Sequence, residues 1–236
     1  DRFGRLDVLL GNAAILGTLS PIGHFEPRTF EQVMAVNVTA NYRLIRSMDP
    51  LLRQSDAGRA VFVTSGLAHK CWAYWGPYSI SKAALEAMVK TYAAEIANRY
   101  LDLVLARGTT TVCSYATIHP ASVDAIFTAA QTRGQRIWSG KTCMDRNAPE
   151  GLRDTAQSAY DDSKALLTTW HGVDRLSYVI TPRFSPTSTP DQLSALGALW
   201  AEHPDCLMQT HLSEQTDEIA WVKSLFPQSR DYLDTY

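Results

Sequence analysis

Residues 60–65 read AVFVTS, and residues 78–114 read YSISKAALEAMVKTYAAEIANRYLDLVLARGTTTVCS. Ala60–Thr64 is a short apolar run of strand length. The stretch Ala83–Lys90 is built from strong helix formers. Leu85, Met88, Tyr92 and Ile96 fall on one helical face, and Ala93, Ile96, Ala97, Tyr100, Leu101 and Val104 carry an apolar face onward. No Pro or Gly interrupts the chain between Tyr78 and Arg107, and Gly108 stands where a terminator belongs. One helix from about Tyr78 to Leu105 is therefore predicted, followed by a strand at Thr109–Ser114. Outward from this strand–helix–strand unit the pattern repeats. Further strands are expected at Leu6–Leu10, Gln135–Lys141, Leu176–Thr181 and Cys206–Thr210. Helical spacing recurs at Phe30, Val33, Met34 and Val38 and at Leu193, Leu196 and Leu199, and Ser213 is a candidate cap for a helix over Asp217–Ser224. Thr181–Pro190, with three prolines, and Asp145–Gly151 read as loops. Alternation of this kind implies an α/β fold with mainly parallel strands. Such sheets place function at the carboxyl ends of their strands.

The chain has 236 residues, enough for one large domain or two small ones. Apolar residues make up 45% and charged residues 19%, so a substantial core is affordable and disorder is excluded as the main state. Twenty-two basic and 24 acidic side chains leave a net charge of −2, without the basic excess of a nucleic-acid footprint. No apolar run reaches the length of a membrane span. The four cysteines, Cys71, Cys113, Cys143 and Cys206, show no CxxC spacing, which favours reduced, mostly buried thiols in a cytoplasmic protein. A start at Asp1, without Met or signal peptide, suggests the interior of a longer protein.

Tyr78 and Lys82, one helical turn apart, share a face. An ammonium beside a phenol favours the phenolate and suits it to exchange protons with an alcohol or carbonyl. Ser65 follows a strand and precedes Tyr78 by thirteen residues; Asn37 lies in Val36-Asn37-Val38; Gly11-Asn12-Ala13-Ala14 follows the first strand. This set resembles the short-chain dehydrogenase/reductase family over about residues 1–98. The resemblance implies Tyr78 as acid/base, Lys82 as its modulator and a ligand of the nicotinamide ribose, Ser65 on the substrate oxygen, Asn37 in a proton relay and Asn12 on the cofactor side. It implies NAD or NADP as cofactor. The family's usual NNAG is GNAA here, and no GxxxGxG or GxGxxG occurs to bind a pyrophosphate.

Beyond residue 98 the most chemical stretch is Thr210-His-Leu-Ser-Glu214. A His at a strand end with a carboxylate at the start of the next helix suits metal-assisted activation of water. Taken alone, an HxxE more commonly has purely local roles. With Arg107-Gly108, Ala116-Thr-Ile-His-Pro120, Met144-Asp-Arg-Asn147 and Ile180-Thr-Pro-Arg-Phe-Ser185, the run from about residue 100 to Tyr236 resembles the guanine deaminases of the amidohydrolase superfamily. The resemblance implies His211 as a zinc ligand, Glu214 as proton shuttle, and Arg183 and Phe184 as the residues holding the purine. The reaction it implies belongs to purine catabolism and turns guanine and water into xanthine and ammonia. No HxH pair occurs in the chain, and His119 and His203 read as loop or surface histidines.

The expected organisation is therefore a composite. A partial Rossmann-like segment, 1–98, is joined without a linker to a partial (β/α)8-barrel segment, 99–236. Three readings follow: a deaminase-like hydrolase fragment inactive as the isolated chain, a short-chain reductase fragment, or a non-catalytic chimeric α/β scaffold. The expected small-molecule partner of a completed site is guanine, with neither nucleic acid nor membrane involved and no oligomeric state implied.

Overall fold

In the computed structural model, which describes residues 3–55 and 58–236, strands alternate with helices and every paired strand runs parallel. The chain divides into two units, Asp1–Tyr92 and Ala93–Tyr236. Among the described residues no helix is long and apolar enough to cross a membrane.

In the first unit β1 (Val8–Gly11) pairs with β2 (Arg59–Phe62), in register from Val8 opposite Arg59 to Gly11 opposite Phe62. Between them lie α1 (Pro27–Met34) and α2 (Ala40–Leu52). Pro27 suits the first turn, where its missing N–H would have no partner. A π-helical segment, Ala35–Thr39, joins α1 to α2 and carries the buried Asn37. There the ordinary ladder is interrupted, and the Asn41 side chain donates to the Asn37 carbonyl (2.8 Å). After β2 come α3 (Leu67–Lys70) and α4 (Gly76–Ala106). The single long helix predicted from Tyr78 to Leu105 is present, and Gly108 (φ +82°) follows its end. Its face is narrower than expected: Leu85, Tyr92, Ala97 and Leu101 are buried, whereas Ile96 is exposed.

In the second unit β3 (Thr111–Tyr115), α5 (Pro120–Arg133), β4 (Arg136–Gly140), β5 (Thr142–Cys143), α6 (Ala156–Trp170), β6 (Leu176–Pro182), α7 (Pro190–Glu202), β7 (Leu207–Met208) and α8 (Thr216–Leu225) succeed one another. β3 pairs with β4, β4 and β5 both pair with β6, and β7 also pairs with β6. Val112, Phe127, Ile137, Tyr178, Ile180, Leu196 and Leu199 form the core between sheet and helices. Local chemistry sets the helix starts. Thr155 and Ser158 form a reciprocal capping box at α6, and Thr189 caps α7 ahead of Pro190.

Four expectations are corrected. The run Gln135–Lys141 is a strand from Arg136 to Gly140; Lys141 falls outside it and turns its side chain inward, and a second short strand follows at Thr142–Cys143. The supposed loop Thr181–Pro190 begins as strand through Pro182, and its last proline opens α7. Ser213 does not cap α8; it sits at φ +56°, and Gln215 holds the cap position. All four cysteines are free, but only Cys143 and Cys206 are buried.

Candidate functional site

In the first unit, Tyr78 and Lys82 lie on α4 and Ser65 follows β2. The Lys82 ammonium is buried, donates to the Val63 carbonyl (2.7 Å) and stands 5.7 Å from the centre of the Tyr78 ring. Burial pulls its pKa below the ordinary lysine value. Asn37 accepts from Ile15 N (2.8 Å) and donates to Ile15 O (2.9 Å) and Ser81 Oγ (2.9 Å). Ser81 Oγ in turn donates to the Tyr78 backbone carbonyl (2.8 Å). Asn37 thus reaches the Tyr78 backbone through Ser81, a residue the sequence reading passed over inside its own Tyr-Ser-Ile-Ser-Lys motif. Ser65 Oγ accepts from Leu67 N (3.3 Å) at the start of α3. Asn12 is exposed just beyond β1. Among the described residues no hydrogen bond joins the Tyr78 hydroxyl to Ser65, Asn37 or Lys82. A nicotinamide nucleotide does not fit this set as it stands. One of the three donors of the Lys82 ammonium is taken by Val63, and no glycine-rich turn occurs in this sequence to supply donors for the nucleotide's pyrophosphate.

In the second unit, the strand ends gather a different set. Arg183 directly follows β6, and its backbone N donates to the Cys143 carbonyl (3.0 Å) at the end of β5. His211, three residues past β7, donates its backbone N to the Arg183 carbonyl (3.0 Å) and sets Nδ1 against the same oxygen (2.8 Å). The Arg183 guanidinium lies over the Phe184 ring (4.9 Å). Phe184 meets His211 and Trp221 edge-on at 6.5 and 6.3 Å, and the His211 ring lies 4.4 Å from that of Tyr115 at the end of β3. Burial pushes the Tyr115 phenol up to about 12, so it stays protonated. Glu214 is exposed, two residues before α8 rather than on it. The carboxyl ends of β3 and β6 and the segment after β7 therefore bring Tyr115, Arg183, Phe184 and His211 together, as parallel strands do.

A carbonyl can only accept, so His211 Nδ1 carries a proton, and in the neutral ring the lone pair is on Nε2. Histidines that ligate metals are commonly held this way. Zinc nevertheless does not fit the described residues as a complete site, because no group of three or more His, Cys, Asp or Glu side chains among them could hold a metal ion.

A short chain dehydrogenase family model matches residues 1–112, and an amidohydrolase family model matches residues 61–236. The guanine deaminase of Escherichia coli (strain K12) is 50% identical over 145 residues, 61% of this chain and 33% of that protein. The guanine deaminase of Homo sapiens is 32% identical over 149 residues, again 61% of this chain and 32% of that one. Among solved structures, E. coli guanine deaminase superposes with a TM-score of 0.62 over 62% of this chain and 35% of its own, at 50% identity. A guanine deaminase from C. acetobutylicum, solved with guanine bound in its active site, does so with a TM-score of 0.60 at 31% identity, over 62% of this chain and 35% of that one. The chain spans about a third of the length of the curated relatives it matches.

Proposed function

The chain belongs to the amidohydrolase family, and from that premise we propose that its second unit forms the purine-holding wall of a guanine aminohydrolase site. The observation that carries this reading is the Arg183–Phe184–His211 arrangement at the strand ends. A guanidinium held over an aromatic ring offers donors to the oxygen and nitrogen edge of a guanine, while Phe184 packs on the base. Glu214 is proposed to move protons between the attacking water and the leaving amino group. His211, with its tautomer set by Arg183, is proposed to present Nε2 to the same mouth. In a complete enzyme of this class the sum is guanine plus water to xanthine plus ammonia. For this chain alone we propose purine binding without turnover, since the described residues assemble no three-ligand metal site.

Residues 1–98 are proposed to be a short-chain reductase-like segment. Tyr78, Lys82, Ser65 and Asn37 favour reductase chemistry by kind, and Asn12 favours a cofactor role. Micromolar binding of NADH or NADPH would support that reading over the hydrolase one. A scaffold without either activity would bind neither purine nor nucleotide.

Equilibrium dialysis with labelled guanine tests the main proposal. Arg183→Ala should weaken binding by about 2–4 kcal/mol, the loss of a charged hydrogen-bonding partner. Guanine binding equal to that of unsubstituted purine, or unaffected by Arg183→Ala, would overturn it.

A further inference from the structure

One charged pair in the second unit has no part in the chemistry above. Lys141, the residue that interrupts the strand between β4 and β5, points inward and donates to Asp154 Oδ2 at 2.7 Å. The side chains are 1% and 6% exposed, so both charges have left water. Burial pushes the Asp154 carboxyl above the ordinary carboxylate range even with the Lys141 ammonium opposing it. Buried pairs of this kind are often no better for stability than apolar residues of the same volume. What they supply is one arrangement in place of several, and here the arrangement can be traced.

Asp154 closes a loop on itself. Its backbone N donates to Met144 O (2.7 Å), and its Oδ2 also accepts from Met144 N (3.4 Å). The residues just inside that closure all reach across to the segment after Phe184. Asp145 N and Arg146 N both donate to Thr187 O (2.9 and 3.2 Å). Asp145 accepts from Thr189 N (2.7 Å) and Thr189 Oγ1 (2.5 Å). The Arg146 guanidinium donates to Ser185 O (3.0 Å), and Asn147 Nδ2 donates to Pro186 O (2.7 Å). Ser185, Thr187 and Ser188 are buried beneath these contacts. Arg183 itself is tied to Cys143 O, two residues from Lys141.

We infer that Lys141 and Asp154 are positioning residues for purine recognition: their buried ion pair holds residues 144–154 closed, so that Asp145, Arg146 and Asn147 fix residues 185–189 and, with them, the aim of Arg183 and Phe184. The inference rests on the purine-binding reading. It adds a device that neither touches the purine nor takes part in the chemistry.

Two measurements test it on the full chain. In hydrogen exchange, Asp154→Asn should speed the amides of Asp145, Arg146 and Thr189 at least tenfold, while the ladder amides of β4 and β6 keep their rates. In equilibrium dialysis, the preference for guanine over unsubstituted purine should fall in Asp154→Asn about as far as in Arg183→Ala, and no further in the double variant. The pair Lys141→Met with Asp154→Leu leaves no buried charge and guards against simple misfolding. With its fold retained, it should show the same faster exchange and the same lost preference. An unchanged preference in that folded pair, or exchange that rises equally in β4 and β6, would overturn the inference. If the unaltered chain binds no guanine, the purine reading fails by itself. The exchange pattern then still decides whether the ion pair holds the loop.

Discussion

A buried ammonium without a carboxylate partner is an expensive group, and among the described residues Lys82 has the Val63 carbonyl and the Tyr78 ring beside it but no such ion pair. Desolvation lowers its pKa below the ordinary 10.5. Between the folded value and 10.5 the unfolded chain binds more protons than the folded one, so stability rises with pH through that window. The urea midpoint of the unaltered chain should therefore climb relative to Lys82→Met as the pH is raised toward 10.5. Parallel midpoints across that range would show that Lys82 is not desolvated. The same burial bears on the reductase reading, because one of the three Lys82 donors is already committed to Val63. His211 is the opposite case, a side chain whose Nδ1 contact leaves its other nitrogen out of that bond.

At the scale of elements, Gly140 of β4 faces the Val179 carbonyl and Thr181 Oγ1 of β6 so closely that a Cβ there would lie 1.7 Å from the Val179 oxygen. A methyl group has no room there, so Gly140→Ala should cost at least about 3 kcal/mol, read as a large fall in Tm or loss of soluble protein. An ordinary Tm would mean that the two strands part easily. The helix Gly76–Ala106 makes a prediction of the other sign. Its backbone bonds continue through Ala94–Leu101, so native-state proteolysis there should be slow. Rapid clipping into two stable pieces would contradict a continuous helix. These two elements also show what a sequence can and cannot disclose. The helix was readable because the strong formers of Ala83–Lys90 sit within a long stretch, Tyr78–Arg107, that has no Pro or Gly to end it. The alternation of strands was readable for the same local reason. The burial of Lys141 was not, because periodicity treats a lysine at a strand end as facing water. Its partner Asp154 lies thirteen residues away across a loop. Ser213 failed as a cap because composition says nothing about a left-handed backbone. At the site, Arg183, Phe184 and His211 could be named from their motifs, but Tyr115 meets His211 only through the sheet.

At the scale of the whole molecule, the question is how much of a hydrolase site one chain of this length brings together. It spans about a third of its curated relatives, and its described residues offer His211 no second and third ligand. A metal held by one histidine gives up most of the binding energy of a closed site. Dialysed protein should accordingly carry well under one zinc per chain and release no ammonia from guanine. One tightly held zinc per chain, or turnover abolished by Glu214→Gln, would show that other residues complete the site. The converse experiment supplies what the described residues lack. Residues 101–236 placed into a full-length guanine deaminase, in exchange for the matching segment, should give an active enzyme. In that enzyme Glu214→Gln should lower kcat by on the order of 10²–10⁴, the range for a lost general acid/base. Tyr78 lies outside the exchanged segment and has no bearing on the result. If the hybrid folds, holds zinc and turns over guanine equally well with Glu214→Gln, proton transfer belongs to another group. Glu214 would then be an exposed carboxylate ahead of α8, favourable to that helix end and nothing more.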